Sequence, residues 1–258
     1  MYNGALTWFV NMRKKIIIII LSLVLAFILF LIIEFVYISN NGTPVAAPDI
    51  PRQAQTLGSG PTLTYVVMGD STSIGQGAQY KNSYAVASFH HLSQKYTVKF
   101  VNVGISGATA KSVLVEQLAK AQSYKPDLVL LAVGANDSTH LTSGKSIENS
   151  LQQIIDGLKK ANPDVKIVTT RSPAMDSVTR FPIGAKQFMG LRYHQVNKAF
   201  AKIIAKNNLT LAPIAEKTRA AFIADPTLTA SDNFHPNDRG YALWIPVVNG
   251  ALDQALKN

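Results

Sequence analysis

Ser71, Asp232 and His235 are three polar residues whose types and spacing could activate a serine for attack on a carbonyl carbon. Ser71 ends the tripeptide Gly69-Asp70-Ser71, directly after the apolar run 63–68. Asp232 precedes His235 by three residues in a polar loop near the end of the chain. A serine hydroxyl becomes a nucleophile when a base takes its proton, and histidine can do this when a carboxylate orients its ring. The pattern predicts acyl chemistry if the fold brings Ser71 close to His235 and Asp232.

Glycine and asparagine at two other points could serve the same reaction. The segment 102–107 reads NVGISG and the segment 134–137 reads GAND. A glycine N–H can approach a ligand closely, and an asparagine amide is a directed donor, so Gly104 and Asn136 could stabilise an oxyanion formed at Ser71. Each motif alone also fits a structural role: Asp70 and Ser71 are ordinary helix caps, and the others fit turns.

Alternating strands and helices would bring these motifs together. Apolar runs predict strands at 63–68, 97–103, 127–133, 166–171 and 209–213. The pattern between and after them predicts helices at 80–95, 109–121, 146–161, 187–207 and 238–256. Such alternation is typical of a parallel sheet covered on both faces, so we expect an α/β fold. The prediction is a three-layer α/β/α sandwich with a five-stranded parallel sheet in flavodoxin-like order, whose carboxyl edge collects the motifs.

Taken in order, the four motifs resemble the four blocks of the SGNH hydrolases, also called GDSL-type hydrolases. They are Gly69-Asp70-Ser71, the glycine within 102–107, Gly134-Ala135-Asn136-Asp137 and Asp232-Asn233-Phe234-His235. The resemblance covers residues 62–257 and implies that Ser71 is the nucleophile, His235 the general base and Asp232 its partner. It also implies an oxyanion hole formed by the backbone of Ser71, the backbone of Gly104 and the side chain of Asn136. Thr72 departs from the family, which usually has an apolar residue there.

Other chemistries fit the sequence less well. The segment 104–112 suggests a phosphate loop, but Lys111 follows Ala110 where that motif needs glycine before lysine. The Gly-x-Ser-x-Gly elbow of α/β-hydrolases is missing, since Gly107 directly follows Ser106. Histidine and glutamate do not cluster at metal-ligand spacing. We therefore expect no metal and no cofactor.

An apolar segment near the start of the chain predicts a membrane anchor. Residues 16–33 are apolar except for Ser22, and residues 35–38 prolong the run past a lone Glu34. About 20 such residues span a bilayer, whereas the apolar core of a signal peptide has roughly 7 to 15. The basic run at 13–15 predicts that residues 1–15 are cytoplasmic and that the rest of the chain is extracytoplasmic. Cleavage near the small residues 45–47 is the alternative.

The composition of the remaining chain predicts a linker followed by a domain, and it limits the classes of partner that the protein could bind. The Pro- and Gly-containing segment 39–61 predicts a flexible linker, followed by a hydrolase domain at 62–258. The net charge of +10 is spread out, which argues against nucleic-acid binding and favours anionic lipids or wall polymers. The chain has no cysteine, which excludes disulfides and thiolate chemistry.

These features predict a membrane-anchored, extracytoplasmic serine esterase. Its expected substrates are carboxylic esters, either lysophospholipid and short-chain acyl esters or O-acetylated glycans. Aromatic and apolar residues after the fourth strand could line an acyl site, or they could serve ordinary packing or form a mobile lid: Phe181, Phe188, Met189 and Tyr193. Two alternatives remain open from the residues: a catalytically silent module that binds surface glycan or lipid, and an acyltransferase that uses the same triad.

Overall fold

The computed structural model describes residues 2–257, without the side chains of residues 2–7, 9 and 10. Met1 and Asn258, which end two of the predicted segments, lie outside the described residues. The chain divides into two compact units, Met1–Asn41 and Gly42–Asn258. Residues 42–61 of the predicted linker therefore belong to the second unit.

The first unit is one helix, α1 (Tyr2–Asn40). Its stretch Asn11–Asn40 is long and apolar enough to cross a membrane. A signal sequence near the start of a chain can also be this long and apolar, so α1 fits either role.

The second unit is built on one mixed sheet. Its strands are β1 (Gln55–Leu57), β2 (Thr62–Gly69), β3 (Thr97–Asn102), β4 (Leu128–Ala132), β5 (Lys166–Thr169) and β6 (Thr210–Leu211). They lie in the order β1-β3-β2-β4-β5-β6, and only β1 pairs antiparallel. The five parallel strands thus follow the predicted flavodoxin-like order. Because β3 and β4 lie on opposite sides of β2, the carboxyl end of β2 is a topological switch point, where open α/β sheets bind ligands.

Helices cover both faces of this sheet. They are α2 (Tyr84–Leu92), α3 (Ala110–Ser112), α4 (Leu118–Ser123), α5 (Ala135–Thr139), α6 (Gly144–Ala161), α7 (Ile183–Asn207), α8 (Ile214–Ala224) and α9 (Asp238–Ala255). A π-helical turn, Val113–Gln117, joins α3 to α4.

Alternate residues of the central strands enter two separate cores. On β2, Tyr65 and Val67 pack with α2, α8 and α9, whereas Val66 and Met68 pack with α4, α6 and α7. β4 is buried along its whole length. A strand buried on both faces reads as a continuous apolar run, which is why these strands were visible in the sequence.

The three-layer α/β/α prediction is confirmed, with one correction to the sheet. The sheet has six strands, because the short segment Gln55–Leu57 adds an antiparallel edge strand beside β3. Its three residues are all exposed, so no apolar pattern marks it. The helices α5 and α8 were also not predicted.

Candidate active site

Ser71 lies in a tight turn at the carboxyl end of β2. The strand ends at Gly69, where a Cβ would lie 1.9 Å from the carbonyl oxygen of Ala132 on β4, so only glycine permits this approach. Next to it, the Asp70 N–H donates to the same carbonyl oxygen at 3.0 Å. The Gln76 N–H closes the turn by donating to the Ser71 carbonyl oxygen at 3.0 Å.

No helix starts directly after this serine. The turn continues to residue 77, and α2 begins at Tyr84. The helix is capped by Ser83, whose side chain accepts from the Val86 N–H. Asp70 and Ser71 are therefore not helix caps, which removes the structural alternative for that motif.

Gln117 holds the strand end that carries the serine. Its side-chain oxygen accepts from the Gly69 N–H at 2.8 Å, and its amide nitrogen donates to the Gly69 carbonyl oxygen at 2.8 Å. Gln117 is buried and ends the π-helical turn. Such turns are frequent at functional sites. Sequence reasoning missed this residue, because a lone glutamine in a helical pattern gives no sign that it points inward.

Thr72 supplies a hydroxyl to the carboxyl group of Asp70. Asp70 Oδ1 accepts from the Thr72 N–H at 2.9 Å and from the Thr72 hydroxyl at 2.8 Å. Tyr84 OH lies 3.2 Å from the same hydroxyl. Burial raises the pKa of Asp70 to about 6, although the Thr72 hydrogen bonds oppose the shift. The threonine that departs from the family pattern is thus a partner for a buried carboxyl group.

The Asp232 carboxyl group shapes the histidine loop with one oxygen and orients the ring with the other. Oδ1 accepts from the backbone N–H groups of Phe234 and His235, each at 3.0 Å. Oδ2 lies 2.6 Å from Nδ1 of the His235 ring. The spacing of three residues is what lets one side chain reach both its loop and the ring.

The charge state of Asp232 reflects a balance of opposing effects. Burial would raise the pKa of this carboxyl group, but hydrogen bonds from the His235 ring and from the two backbone N–H groups outweigh it. The pKa therefore ends below the usual aspartate range. The carboxylate is ionised near neutral pH and can stabilise a protonated imidazole.

His235 joins the two distant parts of the sequence. Its Nε2 lies 2.8 Å from Ser71 Oγ, while Nδ1 faces Asp232. All three residues are buried. The structure therefore brings together Ser71, His235 and Asp232 in a continuous hydrogen-bonded relay, 164 residues apart in sequence at its longest link.

The Gly104 N–H does not face this relay. It donates to Asn102 Oδ1 at 2.9 Å, and the Asn102 amide in turn donates to the Ser73 carbonyl oxygen at 2.7 Å. The N–H that the sequence assigned to the oxyanion is thus engaged in a structural contact.

A turn at 105–108 contacts both Asn136 and the end of the strand that precedes the serine. The Ile105 N–H donates to the Gly69 carbonyl oxygen at 3.1 Å, and Asn136 Nδ2 donates to the Ala108 carbonyl oxygen at 3.1 Å. The turn therefore lies between the strand end of Ser71 and Asn136. Within the part of the chain that the structure describes, the Gly107 N–H and the Ser71 N–H have no acceptor. Asn136 retains a second amide hydrogen, since the contact with Ala108 uses one.

An apolar cavity adjoins His235 and Thr72. Its volume is about 40 Å³. Its walls include Met175, Val178, Phe222, Phe234, Pro236 and Trp244. The four residues expected to line an acyl site are not among its lining residues. Phe181 instead packs edge-on against Phe234 at a centroid distance of 6.2 Å, behind the cavity wall.

Comparison with known proteins gives one consistent result. A family model described as GDSL-like lipase/acylhydrolase matches residues 67–243. The chain is 28% identical over 177 residues to thioesterase 1/protease 1/lysophospholipase L1 of Escherichia coli K12, covering 67% of this chain and 76% of that protein. It is 29% identical over 181 residues to an arylesterase of Vibrio mimicus, covering 70% of this chain and 82% of that protein.

A solved structure shares the fold. The crystal structure of TesA superposes with a TM-score of 0.62 and 18% sequence identity. The superposition covers 74% of this chain and 99% of TesA. This likeness supports the arrangement of the sheet and helices around the relay.

Proposed function

The chain belongs to the family of GDSL-like lipases and acylhydrolases and is a carboxylic ester hydrolase, and we propose that Ser71, His235 and Asp232 perform its chemistry. The observation that carries the proposal is the relay of hydrogen bonds from Asp232 through His235 to the Ser71 hydroxyl. The same relay, with a base between a carboxylate and a serine, serves nucleophilic acyl transfer on unrelated folds.

The reaction follows from the position of each atom. Nε2 of His235 takes the Oγ proton as Ser71 Oγ bonds to the carbonyl carbon of the ester. The protonated ring, stabilised by the Asp232 carboxylate, then gives its proton to the departing alcohol. Water, deprotonated by the same Nε2, attacks the acyl-serine, releasing the carboxylic acid and restoring Ser71.

We assign the oxyanion donors to the Ser71 N–H, the Asn136 amide and the Gly107 N–H. The Gly107 N–H replaces that of Gly104, because the Gly104 N–H is already bonded to Asn102. Support comes from the position of the turn 105–108 between Gly69 and Asn136. Donors fixed in advance stabilise the charge that develops on the carbonyl oxygen without reorganising during the reaction.

We assign the acyl group of the ester to the apolar cavity beside His235. Its apolar walls would exclude water from an acyl chain and place the carbonyl carbon near Ser71. Among the substrates expected from the sequence, short-chain and lysophospholipid esters use such a cavity more than acetylated glycans do.

We also propose that α1 is a retained anchor, spanning the membrane at 16–38 with residues 1–15 in the cytoplasm. The domain at 62–258 would then act outside the cell. The support is the length of the apolar stretch and the basic run that precedes it.

The assay that tests the proposal uses the full chain in detergent with p-nitrophenyl acetate, p-nitrophenyl octanoate and a fluorophosphonate. We expect hydrolysis of at least one ester, and a covalent phosphonate adduct on the peptide that contains Ser71. A longer acyl chain should be preferred if it fills the apolar cavity. A folded chain that cleaves neither ester and carries no adduct would favour the binding module, while an adduct on another serine would overturn the assignment of the nucleophile.

Asn136→Ala should lower kcat by about 10²-fold to 10³-fold with little change in KM, because it removes a donor that acts mainly in the transition state. Steady-state hydrolysis of the preferred p-nitrophenyl ester measures this. Asn149→Ala is the matched control, since Asn149 is an exposed asparagine on α6. If both variants keep the wild-type kcat, Asn136 is not an oxyanion donor.

A further inference from the structure

We infer that the catalytic face of the domain lies against the membrane that holds α1, and that the enzyme takes its ester substrate from that membrane. The inference rests on the proposed anchor and the proposed active site. It goes further by naming the surface that meets the membrane.

The segment 42–52, which we call the strap, runs along the catalytic loops. Its single buried apolar side chain is Ile50. Three hydrogen bonds hold the strap: Thr43 N–H to the Ser231 carbonyl oxygen at 2.7 Å, Gln76 Nε2 to the Val45 carbonyl oxygen at 2.9 Å, and an Arg52 guanidinium nitrogen to the Gly104 carbonyl oxygen at 2.9 Å. Each partner belongs to a loop beside the relay. The strap is therefore docked on the catalytic edge of the sheet.

The first residue of the strap, Gly42, packs against the backbone of Asp232. At Gly42, with φ of +97°, a Cβ would lie 2.5 Å from the carbonyl carbon of Asp232, so the backbones pack too closely for any side chain. The apolar helix ends at Asn40, two residues earlier. Two extended residues span at most about 7 Å. The covalent chain therefore leaves at most about 7 Å between the last residue of the apolar helix and the residue that packs on the Asp232 loop.

Four exposed apolar side chains, which we call the apolar rim, flank the same edge. They are Leu141, Ile183, Phe188 and Leu191, and each is between 48% and 77% exposed. Two hydrogen bonds place them: the Arg180 N–H, three residues before Ile183, donates to the Asn233 carbonyl oxygen at 2.8 Å, and Arg192, next to Leu191, donates to the Thr142 carbonyl oxygen at 3.0 Å. The start of α7 thus adjoins the loop at which the strap begins.

We expect the apolar rim to insert into a lipid bilayer. Exposed apolar groups gain free energy when they enter the boundary between headgroups and acyl chains, to a depth of about 5–10 Å. Lys186 lies between Ile183 and Phe188 in sequence, and basic side chains near a membrane surface are attracted to anionic headgroups. An ester held in the bilayer by its acyl chain would then meet the apolar cavity directly.

The absence of cysteine makes a direct test simple. Leu191→Cys and Leu141→Cys place a single environment-sensitive fluorophore on the rim of the full chain. Leu57→Cys is the control, because Leu57 is exposed on β1 and pairs with Val98 at the amino end of β3, the opposite edge of the sheet. The protein is reconstituted in phosphatidylcholine vesicles with some phosphatidylglycerol and a nitroxide-labelled lipid. We expect strong quenching at both rim sites and little at Leu57. Equal quenching at all three sites, or none at the rim, would overturn the inference.

A longer tether tests the role of the strap in substrate supply. Inserting about 20 Gly and Ser residues between Asn41 and Gly42 lets the domain move roughly 25 Å from the helix end without altering the strap. We expect unchanged hydrolysis of soluble p-nitrophenyl acetate, but about tenfold slower hydrolysis of a monoacyl phospholipid in the same vesicles. Equal rates on the vesicle substrate would contradict the inference. If the unmodified chain does not hydrolyse the soluble ester, the proposed active site is refuted. The quenching measurement would still test the position of the apolar rim, because it does not depend on activity.

Discussion

Ser71→Ala should lower kcat for ester hydrolysis by about 10⁴-fold or more, because no other group can form the acyl-enzyme. The Ser71 side chain makes one hydrogen bond, to Nε2 of His235, so its removal should leave the turn and the sheet intact. The residual rate would come from binding and from the oxyanion donors alone. This is the largest effect that we expect from a single substitution.

The measurement is steady-state hydrolysis of the preferred p-nitrophenyl ester, with thermal unfolding recorded for each variant. Ser73→Ala is the matched control, since Ser73 lies in the same turn and its hydroxyl donates to the Asp70 carbonyl oxygen at 2.6 Å. We expect it to lower kcat far less than Ser71→Ala does. A Ser71→Ala protein with substantial turnover and no contaminating esterase would eliminate the serine mechanism.

The central fold could be predicted because its strands are buried on both faces. β2 and β4 appear in the sequence as unbroken apolar runs, and the rules for parallel connections leave few arrangements for such strands. The edge strand β1 escaped prediction because three exposed residues carry no periodic signal. Its pairing with β3 depends on backbone hydrogen bonds, which every residue type except proline can both donate and accept.

Backbone geometry also limited what the sequence could say about the site. Residue types suffice to nominate Ser71, Asp232 and His235, because only a few side chains can carry that chemistry. Which acceptor a glycine N–H meets depends on the direction of the chain, and Gly104 and Gly107 look equivalent in the motif. The contact from Gly104 to Asn102 separates them only in three dimensions.

The sequence did not reveal the strap or the apolar cavity, for related reasons. Pro and Gly in residues 39–61 are typical of a linker, yet residues 42–52 are held by main-chain contacts that composition does not reveal. The cavity combines Met175 and Val178 from one loop with Phe222, Phe234 and Trp244 from later segments. No local pattern links residues that meet only through the packing of α8 and α9.

Asp232→Asn should lower kcat by roughly the 10⁴-fold found when the equivalent carboxylate of a serine protease is changed in the same way. The amide oxygen of asparagine can still accept from the backbone N–H groups of Phe234 and His235, so the loop should persist. Its NH₂ group would face Nδ1 of the ring, which must then act as acceptor. The imidazole would consequently carry its proton on Nε2 and could no longer accept one from Ser71.

The pH dependence separates this role from simple loop support. Because the pKa of Asp232 is lowered, the ionised form favours folding, and that contribution is present above the unfolded-state pKa and lost as the pH falls through the folded-state pKa. The free energy of unfolding of the wild type should therefore decrease as the pH falls from the unfolded-state pKa of Asp232 through its folded-state pKa. Asp232→Asn should lack the part of this decrease that is due to Asp232. Asp232→Ala, which also loses the backbone contacts, should unfold at a lower temperature than Asp232→Asn. If Asp232→Asn keeps most of its kcat near neutral pH, Asp232 supports the loop but does not orient the base.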